Sequence, residues 1–496
     1  MLLFTKSRGA AHITGLLGAT AAAMIMVSAA CAHPSHGVKV KYLFDFAVSQ
    51  NAPGGALVQG QDGNMYGVEN YNDSEIFEIS PGGNEAVLWN SQLQTEAGAE
   101  CYSGMALGTD GLLYGTCWIW NGNENASGIV FRFDPSQQQN GFTILYTWPA
   151  FGNGNSEKPS GLTLGTDGNF YGTTRADNAN PFGTVFKVTP AGNYTTIHVF
   201  AGGVHDGALP SIGGTEEGYP EPLTLGSDGN FYGTTDGGGS SKSSGTVYRV
   251  TPAGAVTILH SFQQRYGTYT GVVELDGDLY GQTTLGGPHN NGTIYKLASD
   301  GTLSTLHNFA KKTDKAAFPD FPFTIGSDGN LYDVSTDYIG GGFGPESLYA
   351  ITPAGIYSDL YSKFGVPTGC EPEPIKNGCE ANSPLLLHTN GIFYGLTMKG
   401  PDNNEGGGAF YVAELNQAPF VRPLLPAAKP GQWMGILGQH FSHAKEVSFG
   451  RTKTVFRVVS DTYMEARLPP LAAKGKISVT TAGGELSSNI EVTPLR

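Results

Sequence analysis

One strand-turn-strand motif recurs along most of the chain, and no other feature constrains its fold as tightly. Residues 162–200 read LTLGTDGNFYGTT, a variable loop, then GTVFKVTPAGNYTTIHVF. Residues 223–262 repeat the pattern as LTLGSDGNFYGTT, a serine- and glycine-rich loop, then GTVYRVTPAGAVTILHSF. The motif's tyrosine falls at Tyr66, Tyr114, Tyr171, Tyr232, Tyr280, Tyr332 and Tyr394, at intervals of 48 to 62 residues. Such intervals suit a four-stranded propeller blade, and seven tyrosines predict seven blades. Asp-Gly at Asp110, Asp167, Asp228 and Asp328 signals one tight hairpin turn. Pro-Ala-Gly at Pro190, Pro252 and Pro353 signals a second. Middle strands such as TVFKV and TVYRV are apolar on both faces, as a sheet packed between two neighbours requires.

The ends of the array sharpen this reading. The seventh unit stops after its third strand, at residues 409–415, while Val40-Lys-Tyr-Leu-Phe-Asp-Phe46 resembles the fourth-strand pattern TILHSF. The N-terminal segment is therefore expected to complete the last blade and close the ring without an exposed edge. A linear solenoid would need a distinct cap at each end. The expected fold class is all-β: a seven-bladed β-propeller at 38–416 closed by the N-terminal strand, then an immunoglobulin-like β-sandwich at 418–496.

Composition agrees. Glycine supplies 72 of 496 residues, roughly twice ordinary usage, and charged residues are 14% of the chain against about 25% in typical domains. Such glycine serves turns, because 39% hydrophobic residues leave ample apolar surface to bury. A net charge of −15 with no Lys/Arg cluster argues against nucleic-acid binding.

Residues 1–32 read as an export signal. Lys6 and Arg8 precede an uncharged, alanine-rich apolar stretch at 13–27, too short to span a bilayer stably. Two processing readings stay open: cleavage after Ser28-Ala29-Ala30, or lipidation of Cys31 in a lipobox whose usual large aliphatic residue is replaced by Ser28. Membrane attachment is expected only through that lipid. The other four cysteines suit an oxidising compartment. Cys370 and Cys379 bracket a Pro/Glu-rich loop and are expected to be bridged. Cys101 and Cys117 flank one hairpin whose register puts Cys117 near Gly104, so their bridge needs a bend in the chain.

The repeat, quoted as LTLGSDGNFYGTT with GTVFKVTPAG, resembles the GloVer tandem repeat of bacterial surface and secreted proteins over roughly residues 50–416. The likeness weakens in blade one and in blade six, where Asp333 replaces the glycine after the tyrosine. It implies export and a propeller and assigns no activity. From Pro419, Leu437-Gly-Gln-His-Phe441, Val447-Ser-Phe-Gly450, Ala466-Arg-Leu-Pro469 and Ile477-Ser-Val-Thr-Thr-Ala-Gly-Gly484 resemble an IPT/TIG domain. In that family the module is usually a spacer or an interaction domain.

Alternating strands put the turns between strands one and two and between three and four at one end of the ring. Those turns hardly vary, so that end is a plain scaffold. The loops between strands two and three, and the links between blades, vary in length and composition and gather at the other end, where binding is expected. Trp118 and Trp120, two apart on one strand, share a face and offer a stacking platform for sugar rings, or pack between blades. Arg175 with Asp177, His205 with Asp206, Asp236 and His289 also fall at the variable end as candidate ligand-binding residues.

Blander readings stand beside these. The aspartates Asp62, Asp167, Asp228 and Asp328 each sit alone in their turn, where calcium chemistry needs several converging carboxylates, so they read as turn formers. Glu216 with Glu217 and Glu371 with Glu373 read as solvated loop charge. His198, His260 and His307 recur at one place in the fourth strand, a structural repetition. There is no GxSxG elbow, HExxH or Cys/His zinc spacing, and no metal or cofactor is expected. The leading functional expectation is a monomeric, exported binding or scaffold protein that holds a glycan or an envelope or extracellular protein. The alternative is an extracellular propeller lyase or hydrolase.

Overall fold

The computed structural model describes residues 38–496 apart from 47–52, 70–73, 92–98, 102, 121–125, 150–157, 176–179, 204, 211–220, 240–244, 264–269, 311–313, 315, 317, 336–346, 363–378, 382 and 400–406. Residues 37–496 form one compact unit. Cys31, Asp177, Cys370 and the glutamates at 216, 217, 371 and 373 lie outside the described residues, as does the side chain of Trp120.

Among the described residues, the repeat folds into seven antiparallel sheets taken in chain order. The third is representative, running Thr163–Leu164, Phe170–Thr174, Thr184–Val188 and Tyr194–Val199. In the last sheet the outer strand is Lys39–Asp45, which pairs antiparallel with Ala409–Glu414 in the register Lys39↔Glu414. Lys41 also forms an ion pair with Glu414. Innermost strands of successive sheets touch one another, and Leu386–Leu387 of the seventh touches Pro53–Gln59 of the first.

The repeated residues explain the repeated sheet. In the turn between strands one and two, the tyrosine hydroxyl donates to the turn aspartate: Tyr66 to Asp62 at 2.9 Å, Tyr171 to Asp167 at 2.8 Å, Tyr332 to Asp328 at 2.7 Å. The same carboxylate accepts the backbone N–H two residues on, as Asp167 does from Asn169. Aspartate thus shapes the turn and holds the second strand to it. The glycine after the tyrosine has a different cause. A Cβ on Gly172 would lie 2.6 Å from the Phe186 ring of the third strand, so the buried aromatic leaves no room for a side chain.

Cys101 and Cys117 are joined in a disulfide. The bend that this needs is present: Ala99–Glu100 pairs with the far half of Leu113–Trp120, Glu100 opposite Trp118, while Ala106–Leu107 pairs with its near half. Continued by one residue, that pairing sets Cys101 opposite Cys117.

Residues 419–496 form two further sheets around a shared core of Met434, Ile436, Phe449, Met464, Ile477 and Val479. That core is continuous with the repeat sheets through Leu164, Phe170 and Trp148. The contacts fall on the turns between strands one and two. Ser460 and Thr462 both donate to the Gln61 carbonyl, at 3.0 and 2.6 Å. Gln432 donates to the Thr166 carbonyl at 3.3 Å, Gln439 to the Thr389 hydroxyl at 2.9 Å and Asn489 to the Ile325 carbonyl at 3.4 Å. The tail therefore lies across the plain end of the repeat array.

Gly63 and Gly168 occupy the same turn position with positive φ in two sheets, but a Cβ would lie 2.8 Å from Thr462 at Gly63 and meet nothing within 4 Å at Gly168. Gly168→Ala should cost about 1 kcal/mol for its left-handed backbone. Gly63→Ala should cost about 1 kcal/mol more, from the clash with the tail. Thermal and urea melts should show Thr462→Ser relieving that excess in the double variant. Equal costs at the two glycines would argue that the tail does not seat on this turn.

Candidate functional site

The variable end is built where second strands run out and first strands begin. Arg175, at the end of the third sheet's second strand, donates to Asp236 of the fourth sheet at 2.9 Å and to the Pro210 carbonyl at 3.2 Å. This ion pair ties two sheets together, so Arg175 engages Asp236 across the blade boundary. Trp118 is half-buried, with the Lys158 ammonium 5.9 Å from its ring centroid. The side chains of His205 and His289 are exposed.

Asp206 pairs with a residue other than its neighbour. Its carboxylate faces His198 Nε2 at 3.3 Å and accepts the amides of Ala201 and Gly207 at 2.8 Å each. Burial works to raise that carboxyl, but the bonds from His198 and the two amides outweigh it and hold the group below its usual range. The fifth sheet repeats the device: His307 Nε2 lies 2.9 Å from Asp314, which also accepts the Ala310 amide at 2.8 Å. At His198 and His307 the recurring histidine thus anchors the link to the next blade by gripping an aspartate seven or eight residues on.

A second polar group, buried between the fifth and sixth sheets, was visible in the sequence only as a break in the repeat. Asp333 stands where the other sheets have glycine, and Gln282 stands where the third and fourth have Thr173 and Thr234. Both are fully buried. Asp333 Oδ2 accepts from Gln282 Nε2 at 2.7 Å and from the Tyr349 hydroxyl at 2.7 Å, and Oδ1 accepts the Val334 amide at 2.7 Å. Gln282 also donates to the Phe321 carbonyl at 2.9 Å, and its Oε1 competes with Asp333 for the single Tyr349 hydroxyl proton. Burial outweighs these bonds and pushes the Asp333 carboxyl up to about 8. Glu221, near the start of the fourth sheet's first strand, is pushed up to about 8 by burial and then by the charge of Asp333. Its Oε2 lies 3.8 Å from where a Cβ on Gly271 would sit. Both carboxyls thus favour the protonated form, Glu221 from a partly exposed position and Asp333 from one closed to solvent.

Charge divides unevenly along the chain. Residues 419–496 hold ten Lys/Arg against five Asp/Glu, so the residues before them carry a net charge of −20. At the covered end, a cavity of about 250 Å³ lies between the tail and the fourth and fifth sheets, lined by Thr224, Glu274, Arg422, Lys474 and Glu491 among others. Glu274 is spent there on Ser227, and Lys474 on Glu491. Among the described residues, no three His, Cys, Asp or Glu side chains converge as a ready metal site, and no helix is long and apolar enough to cross a membrane.

Successive four-stranded sheets built on one repeated unit make this an all-β, propeller-type tandem-repeat protein. More particularly, residues 31–219 and 219–418 match the Gloeobacter/Verrucomicrobia repeat, and the chain belongs to that family. The match ends where the tail begins. No curated protein matches the chain. Similar solved structures include a gluconolactonase-like protein (11% identity, TM-score 0.37, covering 77% of this chain and 94% of that one). Another is the WD40 β-propeller domain of Doa1 (11%, 0.42, 75% and 96%). A third is a puromycin hydrolase S511A mutant in complex with PGG (14%, 0.43, 70% and 51%).

The raised Asp333 has a signed consequence. An unfolded aspartate titrates near pH 3.9, so the native state's preference for the protonated form is fully felt below about pH 4. That contribution is lost progressively as pH rises to about 8. Asp333→Asn, whose carbonyl still accepts from Gln282 and Tyr349, should remove this share of the fall in stability between pH 4 and 8. Urea midpoints across that range should flatten; an unchanged slope would mean that Asp333 is charged in the native protein.

Proposed function

We propose that this chain is an exported, non-enzymatic binding or scaffold protein of the bacterial envelope or exterior. In this reading it is a seven-bladed propeller closed by its N-terminal strand, followed by an immunoglobulin-like, IPT/TIG-type sandwich. It holds a glycan or a protein at the end of the ring opposite the tail.

The observation that carries the reading is the position of the tail. It lies over the turns between strands one and two, so the end left for a ligand is the one where the loops vary. The pairing of Lys39–Asp45 with Ala409–Glu414 and the contact of the seventh sheet with the first support the closed ring. The disulfide supports an oxidising compartment. The acidity of the repeat region favours neutral or cationic ligands over polyanions.

The experiment is a glycan array and an envelope-protein pull-down with the mature chain and with Trp118→Ala and Arg175→Ala. Retention on a defined ligand, weakened at least about tenfold by one of these variants while the fold is kept, is the expected result. Retention indifferent to both would move the site elsewhere. Turnover in a hydrolase and lyase panel would overturn the non-enzymatic reading.

The raised carboxyls of Glu221 and Asp333 favour one second reading, an extracellular propeller lyase or hydrolase. Turnover lost in Glu221→Gln with ligand retention kept would establish it. Mass spectrometry of the mature N-terminus separates free secretion from a lipid on Cys31.

A further inference from the structure

Blade one departs from its neighbours at one cross-strand position. Where the second strand ends and the third begins, the third, fourth and fifth sheets each place two threonines opposite one another: Thr174 and Thr184, Thr235 and Thr246, Thr283 and Thr293. Their hydroxyls are bonded at 2.7, 2.7 and 2.8 Å. In the first sheet the same position holds Glu69 opposite Glu75. Directly opposed residues on one face have Cβ atoms about 5 Å apart, and like charges there repel.

Both glutamates are buried, Glu69 3% exposed and Glu75 6%. Asn90 donates to Glu75 Oε1, whereas Glu75 Oε2 is buried with no hydrogen-bond partner. Among the described residues, Glu69 accepts no hydrogen bond and neither carboxylate is paired with a lysine, arginine or histidine. Glu85, itself half-buried, adds negative charge nearby. The blade thus holds two opposed acids, one with an orphaned buried oxygen, at a position that hydroxyls fill elsewhere without strain.

We propose that Glu69 and Glu75 together hold a divalent cation, calcium by preference, at the variable end of the first blade. Carboxylate oxygens suit a hard cation, and calcium accepts the irregular shell that two glutamates and water provide. The smaller magnesium ion demands a regular octahedron and gives up its water reluctantly. A bound cation neutralises both buried charges at once and satisfies Glu75 Oε2. Nothing in this inference depends on what the ring itself binds.

The test is calorimetric titration of the intact protein with CaCl2, and separately with MgCl2, in chelator-stripped buffer near neutral pH, alongside melting curves. Saturable calcium binding is expected, stronger than magnesium, with the melting midpoint raised by roughly 2 °C or more at saturation. Glu69→Thr with Glu75→Thr restores the pair that three other blades use, so this variant should fold and lose both responses. Should it fail to fold, Glu69→Gln, nearly isosteric, should weaken calcium binding about tenfold or more. Absence of calcium binding to the unmodified chain, or undiminished binding in a folded variant, overturns the proposal and leaves the two acids sharing a proton.

Discussion

The packing of each blade depends on the contact between a glycine of its second strand and an aromatic ring of its third. Phe186 fills the space that a side chain on Gly172 would need, and Tyr248 does the same at Gly233. Both rings are almost wholly buried. With that ring seated, the apolar residues on both faces of the third strand reach the neighbouring sheets. The result is a wedge that packs only beside others of its kind, so one blade's burial presupposes the next. The tyrosine–aspartate bond at the adjoining turn holds the two inner strands in register and leaves the outer end free to vary.

Sheet six breaks that rule and shows what breaking it demands. With Asp333 in place of glycine, a carboxyl enters the space beside Tyr349, and an acid there is tolerable only if its oxygens are satisfied. Tyr349 supplies a hydroxyl, and the neighbouring sheet supplies Gln282, a longer donor than the threonine it replaces. Two departures from the repeat, 51 residues apart, are thus one structural event. The first blade departs in the opposite sense, since Glu75 keeps one buried oxygen without a donor.

Much of the fold was legible because a repeat reports its own spacing. Seven tyrosines, the Asp-Gly turns and the aliphatic third strands fix strand order and the two ends of the array before any coordinate is known. The site was less legible, since its pairings cross between strands and blades. Asp206 reads as the partner of adjacent His205, yet His198 on the preceding strand reaches it instead. Arg175 finds Asp236, 61 residues on, in the next sheet. The opposition of Glu69 and Glu75 follows from strand register, which the sequence of blade one alone does not display. Composition marked residues 419–496 as a separate module; the polar caps on the Gln61, Thr166 and Ile325 carbonyls that seat it could not be read from spacing.

Seating the tail on those carbonyls has a consequence for any ligand. The turns it covers offer main-chain oxygens, and Ser460, Thr462, Gln432 and Asn489 occupy several of them. The tail also brings a surplus of positive charge to that end, while the residues before it carry the whole net negative charge. A molecule approaching the opposite end meets histidine–aspartate pairs and the Arg175–Asp236 bridge, whose charges are already matched within the frame. Among the described residues, Glu69 and Glu75 of the first blade are buried acids there without a cationic partner. Discrimination by charge would therefore rest on a few positions that depart from the repeat, and the uniform positions would supply only the rigid frame that holds them.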